Sequence, residues 1–351
     1  MAKSKLPLQS APQSVCLLRL SALGDITHTL PVFYTLRQAW PETRITWIIG
    51  KTEYEMVKDI EGVEFIVFDK HAGLAAFSAI KKQLNNRKFD VLLHMQMSLR
   101  SSLVSLLVKS AIRLGFDKQR AKDLQWLFTN HKIAGKSRQH VIDSFFGFTE
   151  ALGIREKVYK WDIPVPDSAR QFAEHYINNK PTLVISPCSS KAYRNWTCEG
   201  YAAVADYAIE QYAMQVIITG GPSTTEKEYG QCIETQSGHP LINLVGKTSI
   251  KELLAILDKA NVVVSPDSGP AHLATAVNTP VIGLYACTNP DRARPYLSKH
   301  WLVNRYPEAI EKKFGKTIDE VPWGTRVRDE GTMALIRAED IMAQIDILLN
   351  S

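Results

Sequence analysis

Two segments of the chain carry residue types and spacings suited to chemistry. In Ser21-Ala22-Leu23-Gly24-Asp25-Ile26-Thr27-His28-Thr29-Leu30-Pro31, a carboxylate follows a glycine just after the apolar run 15–20. A carboxylate so placed can take a proton from a substrate hydroxyl, or it can simply cap the helix that follows or bond the glycine turn. In Ser265-Pro266-Asp267-Ser268-Gly269-Pro270-Ala271-His272, directly after Val262-Val263-Val264, Gly269 permits close backbone approach and Pro270 suits a first helical position. A helix starting there turns free amides and its positive dipole end toward the loop, which attracts an anion. The plainer alternative is that Asp267 or Ser268 only caps that helix.

Three further loops have the same character. Ser189 and Ser190 are hydroxyl donors and Lys191 and Arg194 are cations, together suited to a pyrophosphate, although Lys191 also fits a plain exposed position. Gly220-Gly221-Pro222 opens a second loop, followed by Glu226, which either binds ribose hydroxyls or favours a helix dipole from the first turn. Gly246-Lys247-Thr248 forms the third. No G-x-G-x-x-G occurs, since Gly24 stands alone, and this argues against a nicotinamide dehydrogenase.

The elements that must hold these loops alternate along the chain. Strands are expected at 15–20, 44–50, 63–69, 91–95 and 112–116, with helices near 31–39, 74–85, 101–109 and 140–152. The pattern lapses at Trp161-Asp162-Ile163-Pro164-Val165-Pro166 and a helix start is signalled at Asp167-Ser168. It resumes with strands at 182–186, 216–219, 242–245, 262–265, 281–285 and 301–304 and helices near 200–211, 225–235, 250–257, 271–277 and 338–349. Such alternation predicts an α/β protein of two doubly wound parallel sheets facing a cleft, with ligands at the carboxyl ends of the strands. The expected domains are 1–165 and 166–335, with a closing helical segment 336–351.

Composition sets bounds. The 351 residues, 45% hydrophobic and 22% charged, suffice for two domains. Five cysteines, an odd count without C-x-x-C spacing, suit a reduced compartment better than a disulfide framework and argue against a structural zinc site. Residues 1–14 lack an apolar leader core and no window approaches membrane-span length, so a cytoplasmic location is expected. From Ser98 to His140, nine Lys or Arg face two acids, a surplus larger than the whole chain's +6. This run implies an anionic partner (phosphorylated substrate, membrane surface or nucleic acid) or a merely solvated basic face. The chain has no RRM signature and no zinc-finger spacing to favour nucleic acid. Trp126, Leu127 and Phe128, inside the run, either dip into a membrane or form a buried cluster under their loop.

Taken in order, Leu23-Gly24-Asp25 with His28-Thr29-Leu30-Pro31, Arg194-Asn195-Trp196, Gly220-Gly221-Pro222, Gly246-Lys247-Thr248 and Asp267-Ser268-Gly269-Pro270-Ala271-His272 resemble the ADP-heptose:lipopolysaccharide heptosyltransferases, glycosyltransferase family 9. The resemblance spans nearly the whole chain, and the first motif looks closest to the first-heptose type. It implies a GT-B fold of two Rossmann-like domains, the N-terminal one for acceptor and the C-terminal one for nucleotide sugar, with the last helix returning to the first domain. It further implies Asp25 as general base and a donor site of Ser189, Ser190, Arg194, Gly220, Gly221, Glu226, Gly246, Lys247, Thr248, Asp267, Ser268, Gly269 and His272. Arg194 stands where the family has Lys, and Asp-Ser-Gly where it has Asp-Thr-Gly. The implied acceptor is Kdo-lipid A at the cytoplasmic face of the inner membrane, approached peripherally, and Gln96, Arg100, Lys118, Arg120, Lys122, Arg138 and His140 are its candidate contacts. No cofactor beyond the ADP-heptose donor, and no metal, is expected, since no Asp-x-Asp pair occurs. A heptosyltransferase of the second type or another nucleotide-sugar transferase, and a sugar-nucleotide epimerase of the same fold, are the alternatives.

Overall fold

The computed structural model describes residues 5–177 and 179–350. The chain divides into two units, Met1–Pro164 and Val165–Ser351, so the boundary falls inside the expected Pro-containing linker. The first unit has strands β1 (Ser14–Leu18), β2 (Arg44–Gly50), β3 (Val63–Phe68), β4 (Lys88–His94), β5 (Lys109–Gly115) and β6 (His131–Lys132). The second has β7 (Thr182–Ile185), β8 (Gln215–Ile218), β9 (Ile242–Asn243), β10 (Val262–Pro266), β11 (Val281–Tyr285) and β12 (Leu302–Asn304).

The orders are β3-β2-β1-β4-β5-β6 and β12-β11-β10-β7-β8-β9, every neighbouring pair parallel. Both are the doubly wound order 3-2-1-4-5-6 when strands are counted within their own unit. Fully buried runs such as Thr182–Ile185 and Val262–Pro266 are what a sheet covered on both faces requires. In the first unit Cys16, Leu18, Ile48, Ile66 and Leu92 meet Ile80 and Val104 from flanking helices, and burial pushes the Cys16 thiol pKa up. In the second, Leu183, Ile185, Val216, Ile218 and Val264 meet Tyr201, Val204 and Ile233.

Three differences from the expected elements have physical causes. The first helix spans Leu23–Ala39 and runs through Pro31 rather than starting there. A proline at 31 cannot donate to the carbonyl four residues back, but the Trp161 indole donates to that same Thr27 carbonyl at 2.9 Å, so no acceptor is stranded. The helices Lys51–Val57 and Tyr306–Phe314 and the two-residue β6 were not anticipated. The last helix, Ala338–Leu349, was expected to return to the first domain; it buries Ile341 and Ile345 in the core of the second unit, against the helix Cys198–Tyr212, β11 and β12.

Replacing Trp161 by Phe strands the Thr27 carbonyl and is expected to destabilise the protein by about 1–3 kcal/mol in urea denaturation. Pro31→Ala in that background supplies a backbone N–H to the same carbonyl and should recover part of the loss. His94, ending the central strand β4, has its pKa pushed down from 6.5 to about 3, chiefly by burial and then by Arg113 and Arg19. Between these values the unfolded chain binds a proton that the folded chain does not. Stability is therefore complete above pH ~6.5 and should fall by up to ~1.4 kcal/mol per pH unit below it. Denaturation at pH 7 and pH 5 should show a smaller difference for His94→Gln than for the parent.

Candidate active site

In each sheet the order reverses between the first and fourth strands of the unit, β1 beside β4 and β7 beside β10. Flanking helices diverge at such a point and leave the loops beyond the carboxyl ends of those strands uncovered. Asp25 lies at the first of these places and Asp267 at the second.

Arg19 follows β1 and is buried. Its guanidinium bonds the Asp25 carboxylate, donates to the Met95 carbonyl after β4, and lies 5.3 Å from the centre of the Phe145 ring. Burial lowers the Arg19 pKa, and the Asp25 charge opposes that shift. Asp25 sits in the first turn of its helix, yet that helix has no side-chain cap, so the capping alternative does not hold. Its side chain is 37% exposed, enough to meet a ligand. His28 Nδ1 stands 4.0 Å from the other carboxylate oxygen, and the His28 and His140 rings meet edge to face at 5.8 Å. His140 Nδ1 accepts the Ile142 amide at 3.2 Å and so caps the helix Val141–Leu152.

Beside this group a pocket of ≈ 410 Å³ opens at the carboxyl ends of β1 to β4, lined by Leu20, Ser21, Lys51, Glu53, Lys70 and Gln96 among others. Gln96 is fixed there by accepting the Leu20 amide at 2.6 Å and donating to Ser21 Oγ at 3.2 Å. Lys51 is paired to Asp69 at 3.0 Å, and Lys70 and Arg100 are the other two cations of a lining that also holds the Glu53 carboxylate and His71. Burial raises the pKa of Glu53. Gly50 is the only residue type that fits at its place, because a Cβ would run into the Leu20 carbonyl oxygen and the Glu53 carboxylate. Sequence reasoning missed Arg19, Lys51, Glu53, Lys70 and His71. The signal was there, for four of them lie within three residues after the ends of β2 and β3.

The structure divides the candidate acceptor contacts. Gln96 and Arg100 line the pocket, and His140 stands beside His28. Lys118, Lys122 and Arg138 are exposed on the following loops. Arg120 is a staple within its own loop: its guanidinium bonds Asp117, Ser144 Oγ at 2.6 Å, Gln139 Oε1 at 3.1 Å and the Ala134 carbonyl at 2.8 Å.

In the second unit Arg194 Nη1 is 3.0 Å from Asp267 Oδ2 and donates to the Asp267 carbonyl at 3.1 Å, while His272 Nε2 is 4.0 Å from Asp267 Oδ1. Ser268 is the N-cap of the helix Gly269–Ala276 by position, but no side chain caps that helix. Its hydroxyl instead meets Ser265 Oγ at 2.7 Å, and Ser265 donates onward to the Ser186 carbonyl at 2.9 Å. The Ser268 proton is thereby directed at Ser265, and the helix amides keep their free donors. Ser189 donates its amide to Asn195 at 2.8 Å, and Ser190 and Lys191 are exposed. Gly246, held at φ +73°, donates its amide to the Gly220 carbonyl at 2.9 Å, which joins the two glycine loops. Glu226 accepts from the Gly221 amide at 3.0 Å and from Ser223 Oγ at 2.8 Å, so it braces its own loop. Lys247 Nζ donates to the Asn243 carbonyl at 2.7 Å, beside Thr248.

Known proteins share this fold and much of its sequence. Residues 77–323 match the glycosyltransferase family 9 (heptosyltransferase). The chain is 40% identical over 336 residues to the lipopolysaccharide core heptosyltransferase OpsX of Haemophilus influenzae, covering 95% of this chain and 96% of that one. It superposes on a family 9 glycosyl transferase of Veillonella parvula with a TM-score of 0.79 at 22% identity, covering 97% and 98% of the two chains. The E. coli ADP-heptose lps heptosyltransferase II gives 0.72 at 16% identity over 96% and 98%. The fold is therefore GT-B, and the chain belongs to glycosyltransferase family 9.

Proposed function

We propose that this enzyme transfers a heptose from ADP-heptose to the Kdo of the lipid A inner core of lipopolysaccharide, at the cytoplasmic face of the inner membrane, by one inverting displacement. The observation that carries the reading is Asp25: a carboxylate at a sheet switch point, free of capping duty and held by a buried arginine. Support for the substrates comes from the 40% identity to a lipopolysaccharide core heptosyltransferase and from the fold shared with an ADP-heptose-dependent enzyme.

In this reading Asp25 takes the proton of an acceptor hydroxyl as its oxygen bonds to the anomeric carbon. The bond from that carbon to the β-phosphate oxygen breaks, and ADP leaves with the electron pair. A base on one side and anion stabilisation on the other meet all the needs of such a step. The helix amides beginning at Gly269, with Arg194 and His272, receive the diphosphate. Asp267, itself an anion, orients those two cations rather than touching phosphate. The pocket around Lys70, Gln96 and Arg100 receives the carboxylate-bearing acceptor sugar, with Lys70 and Arg100 among its cations. Leaving-group charge is met by protein groups, so no divalent ion is assigned a role. Among the described residues no helix is long and apolar enough to cross a membrane, and association with the lipid acceptor is peripheral in this proposal.

Asp25→Asn is expected to lower kcat by ~10²–10⁴ with donor affinity nearly unchanged, because a general base acts in the transition state. A transfer assay with Kdo-lipid A and ADP-heptose, run with and without EDTA, checks both claims: near-normal turnover removes Asp25 from the mechanism, and loss of rate restored by Mg²⁺ removes metal independence. Titration with ADP should show Arg194→Ala weaker by about 1.5–3 kcal/mol and Ser268→Ala by less than about 1, since the serine proton is committed to Ser265. Arg100→Ala should leave ADP affinity intact while raising the acceptor KM. Equal loss of ADP affinity in Arg100→Ala would place the pocket in the donor site.

A further inference from the structure

The helix Leu99–Ser105 is packed with its polarity reversed. Its buried face consists of Ser101, Ser102, Val104 and Ser105, whereas Leu99 and Leu103, with Leu106 just beyond its end, are 42–61% exposed at one-face helical spacing. A helix serving only a protein core turns its leucines inward. Here Ser101 donates to the Gln96 and Ser98 carbonyls and Ser105 to the Ser102 carbonyl, which makes the small polar face comfortable inside.

A second segment extends the same face. Leu124, Trp126 and Leu127 are 45–59% exposed, so the expected alternative of a buried cluster fails for Trp126 and Leu127. Two buried or half-buried side chains tie this turn down, one to the end of β4 and the other to the end of the helix. At one end the Gln125 amide donates to the His94 carbonyl at 2.8 Å and to the Gln96 carbonyl at 3.2 Å. At the other, the Arg113 guanidinium binds the Phe128 carbonyl at 2.9 Å together with the Ser105 and Val108 carbonyls at 2.9 and 2.8 Å. The two segments that carry these six exposed apolar side chains are thus joined through Arg113. Exposed Arg100, Lys118 and Lys122 accompany them, with Asp123 the one exposed acid of that turn.

We propose that this face is a membrane-docking surface that inserts Leu99, Leu103, Leu106, Leu124, Trp126 and Leu127 among lipid chains while the flanking cations meet anionic headgroups. Apolar side chains rimmed by Lys and Arg have the composition of an interfacial anchor, and each nearby cation strengthens attraction to an anionic leaflet. A second copy of the chain is a poorer occupant, because like patches would bring like cations together. The inference deepens the lipid-linked acceptor proposed above and draws its purpose from it, but vesicle binding tests it without any transfer reaction.

The full-length protein is sedimented with vesicles of phosphatidylcholine alone and of phosphatidylcholine mixed with phosphatidylglycerol, at low and high salt. Binding is expected to the mixed vesicles and to weaken with salt. Leu103→Ser/Leu106→Ser/Leu127→Ser should bind about tenfold less or worse. The replaced side chains support no core, so the variant should keep its melting temperature and its rate on a soluble, delipidated acceptor. The fluorescence change on binding should be smaller in Trp126→Phe. Undiminished vesicle binding by the triple variant overturns the proposal. So does a parent that ignores both vesicles but sediments as a dimer that the triple variant dissociates. Vesicle binding without heptose transfer would sink the proposed reaction and leave the docking surface standing.

Discussion

Parallel pairing of the first and fourth strands, β1 with β4 and β7 with β10, is the constraint from which the rest of each unit follows. Right-handed crossovers send the helices after those strands to opposite faces of the sheet, and nothing in the layer covers the gap between them. Backbone groups there have no ladder partner, so they must bind loops, side chains or a ligand. Arg19, Gln96 and Gln125 answer part of this demand around β1 and β4, tying the Met95, Leu20 and His94 backbone groups together. Ser265 and Ser268 answer part of it around β7 and β10. What these side chains leave open is where substrate can be bound.

The two switch points converge on one electrostatic device. Each has an aspartate bonded to an arginine, with a histidine nitrogen 4.0 Å from the carboxylate: Arg19, Asp25 and His28 in the first unit, Arg194, Asp267 and His272 in the second. The two copies of the device differ in exposure. Asp25 is 37% exposed and its arginine is buried, so the anion faces outward. At the second point Asp267 and Arg194 are both largely buried, 11% and 13%, and the helix that begins at Gly269 has no side-chain cap on its positive end. An outward anion suits proton removal, and an outward positive end suits a leaving diphosphate. Holding Arg19 in the interior carries a desolvation penalty, offset by the Asp25 charge, the Met95 carbonyl and the Phe145 ring.

Strand positions and polar loops were legible in the sequence because both follow from local pattern. Buried β-branched runs mark the strands, and glycine with hydroxyl residues marks the loops. Features decided by distant partners were not legible. The continuation of the first helix through Pro31 depends on Trp161, which lies far along the chain. The identity of Arg19 as the partner of Asp25 was hidden inside an apolar strand signal. The destination of the last helix depends on which core accepts Ile341 and Ile345, and helical periodicity says only that they share a face.

The basic run from Ser98 to His140 shows why charge counting separates so poorly into roles. A guanidinium has five donors, and burying it is tolerable when carbonyls and carboxylates take them. Arg113 is consumed in this way by the Ser105, Val108 and Phe128 carbonyls, and Arg120 by the Asp117, Gln139 and Ser144 side chains and the Ala134 carbonyl, so they shape the segment without facing a ligand. Lysine has a compact ammonium and a flexible stem, and the exposed Lys118 and Lys122 remain outside those networks. The surplus of positive charge that drew notice in the sequence therefore contains two populations. One builds the rigid platform on which the leucines stand, and the other gives the platform its field. Because Arg113 clamps both segments of the apolar face, its loss would disperse that face even though Arg113 never meets a lipid. Neutralising the lysines would weaken the field and leave the face intact.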